Sequence, residues 1–256
     1  MIIQFLNKII KKYIEHFNVL NNSDHAEYMK WEAAYAFQHF DFESPDDFAG
    51  RLKELCKICS VVIDNKASFP LGCLCSCASI DDEKANRVRK MFLDLFVDDK
   101  NDLQVRQSKI DTFIRESDAL RSECGKNGYM YANTQTSVMA YLALRDPENN
   151  YLLSTSKARE LASRIGFGDD WGTLSSFKLD VYYRFCDQLV DAMKKNQDLM
   201  DINKTRYQEE FCDGNHSPFH EDKELHLLAF DIIYTAASDT YGLGEEIPVD
   251  PDIVKK

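Results

Sequence analysis

Apolar residues recur at helical spacing through most of this chain, beginning at its N-terminus. In MIIQFLNKIIKKYIEHFNVL, residues 1–20, the apolar positions lie three and four apart, which predicts an amphipathic helix. Docking of its apolar face on the protein is the favoured interpretation, and attachment to a membrane surface is the alternative. Three lysines interrupt the run and no small-residue cleavage site follows, so it resembles neither a membrane span nor a signal peptide.

Start and stop signals predict further helices along the chain. Ser23 and Asp24 are candidate caps of a helix reaching Phe40, and Ser44 with Pro45 marks the next start. Later predicted helices cover residues 81–97, 102–124 with a stop at Gly125, 136–144, 154–166, 175–200 as one long helix, and 222–238. The helix at 222–238 is apolar nearly all round and is predicted to be central. A small β element is predicted near 69–80 or 151–153.

These elements predict a mainly α, multi-helix globular fold. The 256 residues suffice for one large domain or two modest ones. We divide the chain into N-terminal helices at 1–43, a main helical module at 44–244, and a flexible tail or linker at 245–256, where two prolines occur.

Composition limits the classes of partner. Acidic residues number 43 against 31 Lys and Arg, giving a net charge of -12. That balance argues against simple phosphate-driven binding of nucleic acid, although a local basic face remains compatible with it. With no export signal and no spanning segment, we expect a cytoplasmic protein with no membrane partner and with reduced thiols.

Five of the eight cysteines lie between residues 56 and 77. Cys56 and Cys59 have the C-x-x-C spacing of a zinc knuckle, but they lie within a predicted helix and not on a Gly-rich turn. In a strand, Cys73, Cys75 and Cys77 would share one face and be too dispersed for a tight metal site. We therefore favour buried structural thiols and expect no metal and no other cofactor, while metal binding by these five residues stays open.

Little in the sequence indicates a catalytic site. Residues 211–226 contain four possible metal ligands, namely Cys212, His216, His220 and His226. Gly214 and Pro218 break any helix there, so a polar surface loop is favoured. The run DDEK at 81–84 matches a nuclease motif only loosely, and no P-loop, HNH or hydrolase signature occurs. We expect a non-enzyme, with a metal-dependent nuclease as the least favoured alternative.

Local basic and aromatic residues are the candidate nucleic-acid contacts. Lys157 and Arg164 lie seven apart and so share a helical face, with Arg159 displaced from it and Trp171 beyond. A second patch consists of Arg87, Arg89 and Lys90. Basic groups would contact phosphates and the indole would stack on a base. A solvated helix face, and core packing for the indole, are the alternatives.

Several segments together resemble a known protein family. They are FPLG (69–72), VRKMFLDLF (88–96), YLALRDPENNYLL (141–153), SKARELASRIGF (156–167) and VYYRFCDQLVDAMKKN (181–196). In this order and spacing they resemble the region that precedes the AAA+ motor in McrB-like restriction proteins, over roughly residues 33–196. Two features depart from the family pattern: Asp146 replaces the tyrosine of its YP pair, and the cysteines of CLCSC are not part of it.

The resemblance implies a non-catalytic module of a modification-dependent restriction or antiphage system. In such systems a motor hydrolyses nucleotide, a partner nuclease cuts, and the pre-motor region recognises modified or foreign DNA or docks other parts. The partners that the resemblance implies are DNA or a nucleotide ligand in one case, and an AAA+ motor or nuclease subunit in the other. Recognition of DNA or a nucleotide ligand is the favoured expectation, and a protein-interaction scaffold is the alternative.

Overall fold

The computed structural model describes residues 1–22, 26–65, 67–206 and 222–250. Over these residues the chain is mainly α-helical and contains no β-strand, which confirms the predicted fold class. The helices are α1 Ile3–Leu20, α2 Ala26–His39, α3 Phe48–Ile63, α4 Pro70–Ala78, α5 Asp82–Phe96, α6 Leu103–Glu123, α7 Gln135–Arg145, α8 Thr155–Arg164, α9 Leu179–Met193, α10 Gln197–Thr205 and α11 His226–Ala236. Short 3₁₀ turns cover Tyr129–Tyr131 and Leu174–Ser176.

Two compact units divide the chain. Unit 1 comprises Met1–Tyr28 and Tyr151–Lys256, and unit 2 comprises Met29–Asn150. Unit 1 is thus built from two segments that are distant in sequence. These boundaries differ from those drawn at residues 43 and 244, because packing and not chain order defines a compact unit.

Helix α1 has the predicted amphipathic character. Its buried residues are Leu6, Ile9, Ile10, Tyr13, Phe17 and Leu20. Within unit 1 this face packs against α10 and α11, which is the docked arrangement favoured above. No described helix combines the length and the apolar character that crossing a membrane requires.

Predicted helix ends are confirmed where a polar side chain caps them. The Asp81 carboxylate accepts a hydrogen bond from the Lys84 amide at the start of α5, and Asp102 does the same for Gln104 at the start of α6. Gly125 follows α6 with φ of +71°, a conformation that glycine adopts without steric cost. The candidate caps Ser23 and Asp24 lie outside the described residues.

Three predicted helix boundaries were wrong. Helix α11 begins at His226 and not at residue 222, because Leu225 just before it has φ of +66°. Helix α3 begins at Phe48 and not at Pro45, because the chain first makes a turn in which Asp47 has φ of +42°. The long helix predicted over 175–200 is two helices, α9 and α10. The Asn196 side chain accepts from the Leu199 amide and caps the second one.

The β element predicted near 69–80 was also wrong, since this segment forms α4. Pro70 lies at the first position of the helix, where it needs no amide hydrogen. The Asp64 carboxylate, just after α3, accepts from the amides of Leu71 and Gly72 at 3.0 Å each. This long-range cap satisfies amide groups that a helix leaves unpaired at its start.

Aromatic rings form the centre of unit 2. The Phe92 ring centroid lies 5.1 Å from that of Phe42, 5.4 Å from that of Phe113 and 5.2 Å from that of Tyr141. Arg145 lies over the Phe42 ring and donates to backbone carbonyls at the end of α2. Aromatic contacts of this kind add to area burial and fix the packing of α5 and α7.

A polar network lies inside unit 1. Tyr13 Oη donates to Asp231 Oδ2 at 2.8 Å, and Arg206 Nη2 lies 3.4 Å from the same oxygen. Arg206 also donates to the side chain of Asn21. All four residues are buried. Helix α11, which carries Asp231, is buried on most of its surface, as its all-round apolar pattern predicts.

The segment after residue 244 is attached to unit 1 as far as it is described. Ile247 is buried, and its carbonyl and that of Gly244 accept hydrogen bonds from Arg164. Ser163 Oγ donates to the Asp250 carbonyl at 2.8 Å. Residues 245–250 therefore differ from the flexible tail expected, and 251–256 lie outside the described residues.

Candidate functional site

The basic residues predicted on α8 are engaged within unit 1. Lys157 Nζ lies 2.5 Å from the Asp239 carboxylate and 4.9 Å from the Tyr234 ring centroid. Arg164 is buried, and it pairs with Glu160 at 2.6 Å besides binding the two carbonyls described above. Arg164 thereby joins α8 to the segment that follows α11. Lys157 and Arg164 lie on one helix as predicted, but their charges are already neutralised by neighbouring carboxylates.

Trp171 and Arg159 form a stacked pair in the same unit. The guanidinium carbon of Arg159 lies 5.5 Å from the Trp171 ring centroid, and Arg159 Nη2 donates to the Gly172 carbonyl at 2.8 Å. Trp171 is only 2% exposed and its ring packs on Phe185 at 5.3 Å. A nucleobase could stack on this indole only after the unit opens. Contact of this group with nucleic acid stays a prediction.

The second basic patch lies on α5 in unit 2. Arg87 Nη1 lies 2.7 Å from the Glu123 carboxylate in a pair that is partly exposed on both sides. Arg89 donates to the Glu43 carbonyl at 2.9 Å and to Asn86. Lys90 is exposed. Lys90 and Arg87 are thus the most accessible of the predicted phosphate contacts, since exposed ion pairs exchange partners at little cost.

An open groove in unit 2 is lined by acidic residues, and we call it the acidic groove. It has a volume of about 640 Å³ and lies between the start of α3 and the α4–α5 connection. Its lining includes the exposed carboxylates Asp46, Asp47, Asp81 and Asp82 and the exposed side chain of Ile80. Carboxylates around an apolar contact point favour a cationic and partly apolar ligand.

Two arginines hold the walls of the acidic groove. Arg51 donates to the carbonyls of Asp41, Ser44 and Asp46 at 2.6–2.9 Å and so fixes the loop before α3. Arg89 binds the same loop from α5 through the Glu43 carbonyl. Within the groove, a hydrogen bond from Lys84 holds the pKa of Asp81 below its usual range. The loop that forms one wall of the groove is therefore held in place by hydrogen bonds from Arg51 and Arg89.

Six described cysteines lie close to α4 in unit 2. The Cys75 thiol donates to the Leu52 carbonyl of α3 at 3.6 Å, and an interaction with Cys75 lowers the pKa of Cys56. Burial, together with interactions with Cys124 and Cys73, raises the pKa of Cys77. The sixth, Cys59, is fully buried and directs its thiol toward the Ala33 carbonyl at 3.6 Å. The helical form of α4 produces these pairs, because it turns successive cysteines toward different neighbours.

The thiols differ in acidity. The hydrogen bond from Cys75 lowers the pKa of Cys56, which is half-buried, and the same bond raises the pKa of Cys75. Burial raises the pKa of Cys59 and of Cys77. The thiolate, which is the reactive form of cysteine, is therefore more favoured at Cys56 than at Cys59, Cys75 or Cys77.

Within the described ranges, no three His, Cys, Asp or Glu side chains are arranged to hold a metal ion. Of the possible ligands in 211–226, Cys212, His216 and His220 lie outside the described residues. His226 begins α11, where its ring centroid lies 3.9 Å from that of Tyr151.

Sequence reasoning missed both the acidic groove and the thiol pairs. The groove combines Asp46–Asp47 with Asp81–Asp82, two runs that are separated by more than thirty positions. The available signal was that both runs lie at the starts of predicted helices, but nothing in the pattern shows that the two helix starts are neighbours. The thiol pairs were missed because α4 was predicted as a strand.

Comparisons with protein-family models, with curated proteins and with solved structures found no match to this chain.

Proposed function

We propose that this chain is a non-catalytic recognition or assembly module of a McrB-like restriction or antiphage defence system. The proposal rests on the resembling segments between residues 33 and 196. Several of their residues, including Leu71, Phe92 and Tyr141, are buried in the core of unit 2. Such buried residues would explain why the helical framework resembles that of the family. Recognition of a partner would then depend on the exposed residues around that framework.

Within this class, binding of a partner protein is the mode that the geometry supports best. The observation that carries it is the acidic groove, with four exposed aspartates around Ile80, which is 54% exposed. A basic segment of a motor or nuclease subunit would pair Lys or Arg with Asp46, Asp47 and Asp82, since Asp81 already pairs with Lys84, and would place an apolar side chain on Ile80. The net charge of -12 would speed the encounter with such a partner.

Recognition of DNA or a nucleotide ligand is the second candidate. It is supported by the exposure of Lys90 and by the partly exposed Arg87–Glu123 pair on the neighbouring turn of α5. A phosphate could replace Glu123 as the partner of Arg87, because exposed pairs contribute only about 0–1 kcal/mol. Arg164 of α8 and Trp171 beyond it are less suited to contact DNA or a nucleotide, since both are buried.

A binding experiment on charge variants tests the partner-protein mode. Anisotropy of a fluorescent peptide rich in Arg and Leu would be measured with the full chain and with the triple variant D46N/D47N/D82N. We expect roughly tenfold weaker binding by the variant, since three exposed pairs of up to about 1 kcal/mol each are lost. The matched control D94N/D111N/E148Q removes three exposed carboxylates of unit 2 that do not line the groove.

The outcome separates site binding from general charge attraction. Retention of affinity by the control supports the acidic groove, whereas equal weakening in both variants would attribute binding to net charge and overturn the site.

The DNA mode is tested by the same method with unmodified and cytosine-modified duplexes at low and moderate salt. Preference for modified DNA that survives moderate salt, and that is lost in R87A/K90A, supports it. Absence of binding at low salt would leave the partner-protein mode alone.

A further inference from the structure

Cys56 and Cys75 lie opposite each other on two packed helices. In α3 the amide of Cys56 donates to the Leu52 carbonyl, following the helical i to i−4 pattern. Cys75 Sγ of α4 lies 3.6 Å from that same carbonyl oxygen. An interaction between the two thiols lowers the pKa of Cys56 and raises that of Cys75. Formation of a sulfur–sulfur bond therefore requires the Cys56 and Cys75 side chains to approach each other across the contact between α3 and α4.

Cys56 and Cys75 differ in their exposure to solvent and so would have different roles in an oxidation. Cys56 is half-buried, so a small oxidant can reach it from solvent, whereas Cys75 is buried. The interaction with Cys75 also lowers the pKa of Cys56 and so favours its thiolate, as described above. Oxidant-sensitive cysteines combine thiolate character, access and a neighbouring thiol that captures the first product.

We propose that Cys56 and Cys75 form a reversible disulfide when the protein meets a hydroperoxide, with Cys56 oxidised first and Cys75 resolving the product.

The Cys56 thiolate attacks the terminal peroxide oxygen and breaks the O–O bond. Cys56 becomes a sulfenic acid, and the departing alkoxide or hydroxide takes up a proton. Cys75 then attacks the sulfenic sulfur, the S–S bond forms, and the hydroxyl leaves with the Cys75 proton as water. Cys56 and Cys75 together lose two electrons, which the peroxide gains. A dithiol reductant reverses the modification.

The Cys77–Cys124 pair is the competing site. Cys124 is half-buried like Cys56, and Cys77 is buried like Cys75. Burial raises the pKa of Cys77 in this pair. Because each pair joins one half-buried and one buried cysteine, Cys124 is the matched control for Cys56.

Peptide mapping distinguishes the two sites. The folded full-length chain would be treated with hydrogen peroxide, alkylated, and digested with trypsin without reduction. Cleavage after Lys and Arg places Cys56 in peptide 54–57, Cys59 in 58–66, Cys124 in 122–126, and Cys73, Cys75 and Cys77 together in 67–84. We expect 54–57 linked to 67–84, with fragmentation placing the link at Cys75, and two fewer alkylated thiols than the eight present. Dithiothreitol restores both thiols.

Variants that each replace one cysteine by serine test which two residues form the link. C56S should lose the link entirely, and C75S should stop at a Cys56 sulfenic acid that dimedone traps. C124S should keep the 54–57 to 67–84 link. If C75S does not fold, C56S and C124S suffice, because both change half-buried positions. Linkage through 122–126 in place of 54–57, or over-oxidation of Cys56 to sulfinic acid without any link, would overturn the proposal.

Discussion

Unit 1 and unit 2 stabilise their interiors by different chemistry. Around Phe92 of unit 2, helices meet through aromatic rings whose centroids lie 5–6 Å apart. Around Asp231 of unit 1, they meet through a buried carboxylate, a guanidinium and a phenol. Apolar packing loses stability gradually as volume is removed, whereas a buried ion pair becomes costly when one partner is missing. The same helical fold class thus contains two kinds of core.

Each unit contains one tryptophan, which allows the comparison to be measured. The chain has two, Trp31 in unit 2 and Trp171 in unit 1, and both are buried. In a W31F background the fluorescence reports on unit 1, and in a W171F background it reports on unit 2.

The largest expected effect is that of removing the buried carboxylate of unit 1. We expect D231A to lower the free energy of unfolding by about 3–5 kcal/mol, because it removes one partner of a buried ion pair and leaves the charge of Arg206 buried. Urea unfolding followed by Trp171 fluorescence in the W31F background measures this loss. The double variant R206M/D231L removes both charges and should lose less. If the double variant loses as much as D231A, shape and not charge dominates this core.

A smaller effect is expected when one tyrosine hydroxyl is removed from each unit. Tyr13 Oη lies in the charged network, where Arg206 Nη2 donates to it at 3.1 Å, while Tyr141 Oη donates to the neutral Asn133 side chain at 2.9 Å. Hydrogen bonds to charged groups contribute about 1.5–3 kcal/mol and neutral ones about 0.5–1.5. We therefore expect Y13F to cost more than Y141F in urea unfolding. Equal costs would contradict the distinction between the two cores.

The smallest effect is a pH dependence of opposite sign in the two units. In unit 1, burial raises the pKa of Asp222 to about 6, so its contribution to stability is present below its ordinary value of 3.8 and is lost as pH rises through about 6. In unit 2, Arg106 and Lys109 lower the pKa of Asp99 to about 2 against the opposing effect of burial. Its contribution is present above 3.8 and is lost as pH falls through about 2.

Urea midpoints of D222N and D99N, each compared with the unsubstituted chain from pH 2 to pH 7, measure these contributions. The difference for D222N should change mainly between pH 4 and pH 6, and that for D99N mainly below pH 4. Parallel profiles for the two variants would exclude the opposite signs.

Local signals predicted most helices, because each depends on residues that are near one another in sequence. The periodicity of α1 and the capping aspartates of α5 and α6 are examples. Failures occurred where a distant residue decides the structure. Helix α4 depends on Asp64, and the start of α3 depends on the loop that Arg51 holds. The basic residues of α8 were placed correctly on one helix, but the pattern did not reveal that Glu160 and Asp239 would engage them.

The sequence by itself determined that this protein is built from helices, where most of them lie, and that its charge is acidic. Helical spacing and caps act over a few residues, so they can be read directly from the chain. Only the tertiary structure decided that unit 1 joins the two ends of the chain, that aspartates from two helix starts share a groove, and that Cys56 meets Cys75. These features depend on contacts between residues far apart in sequence, which packing of the whole chain selects.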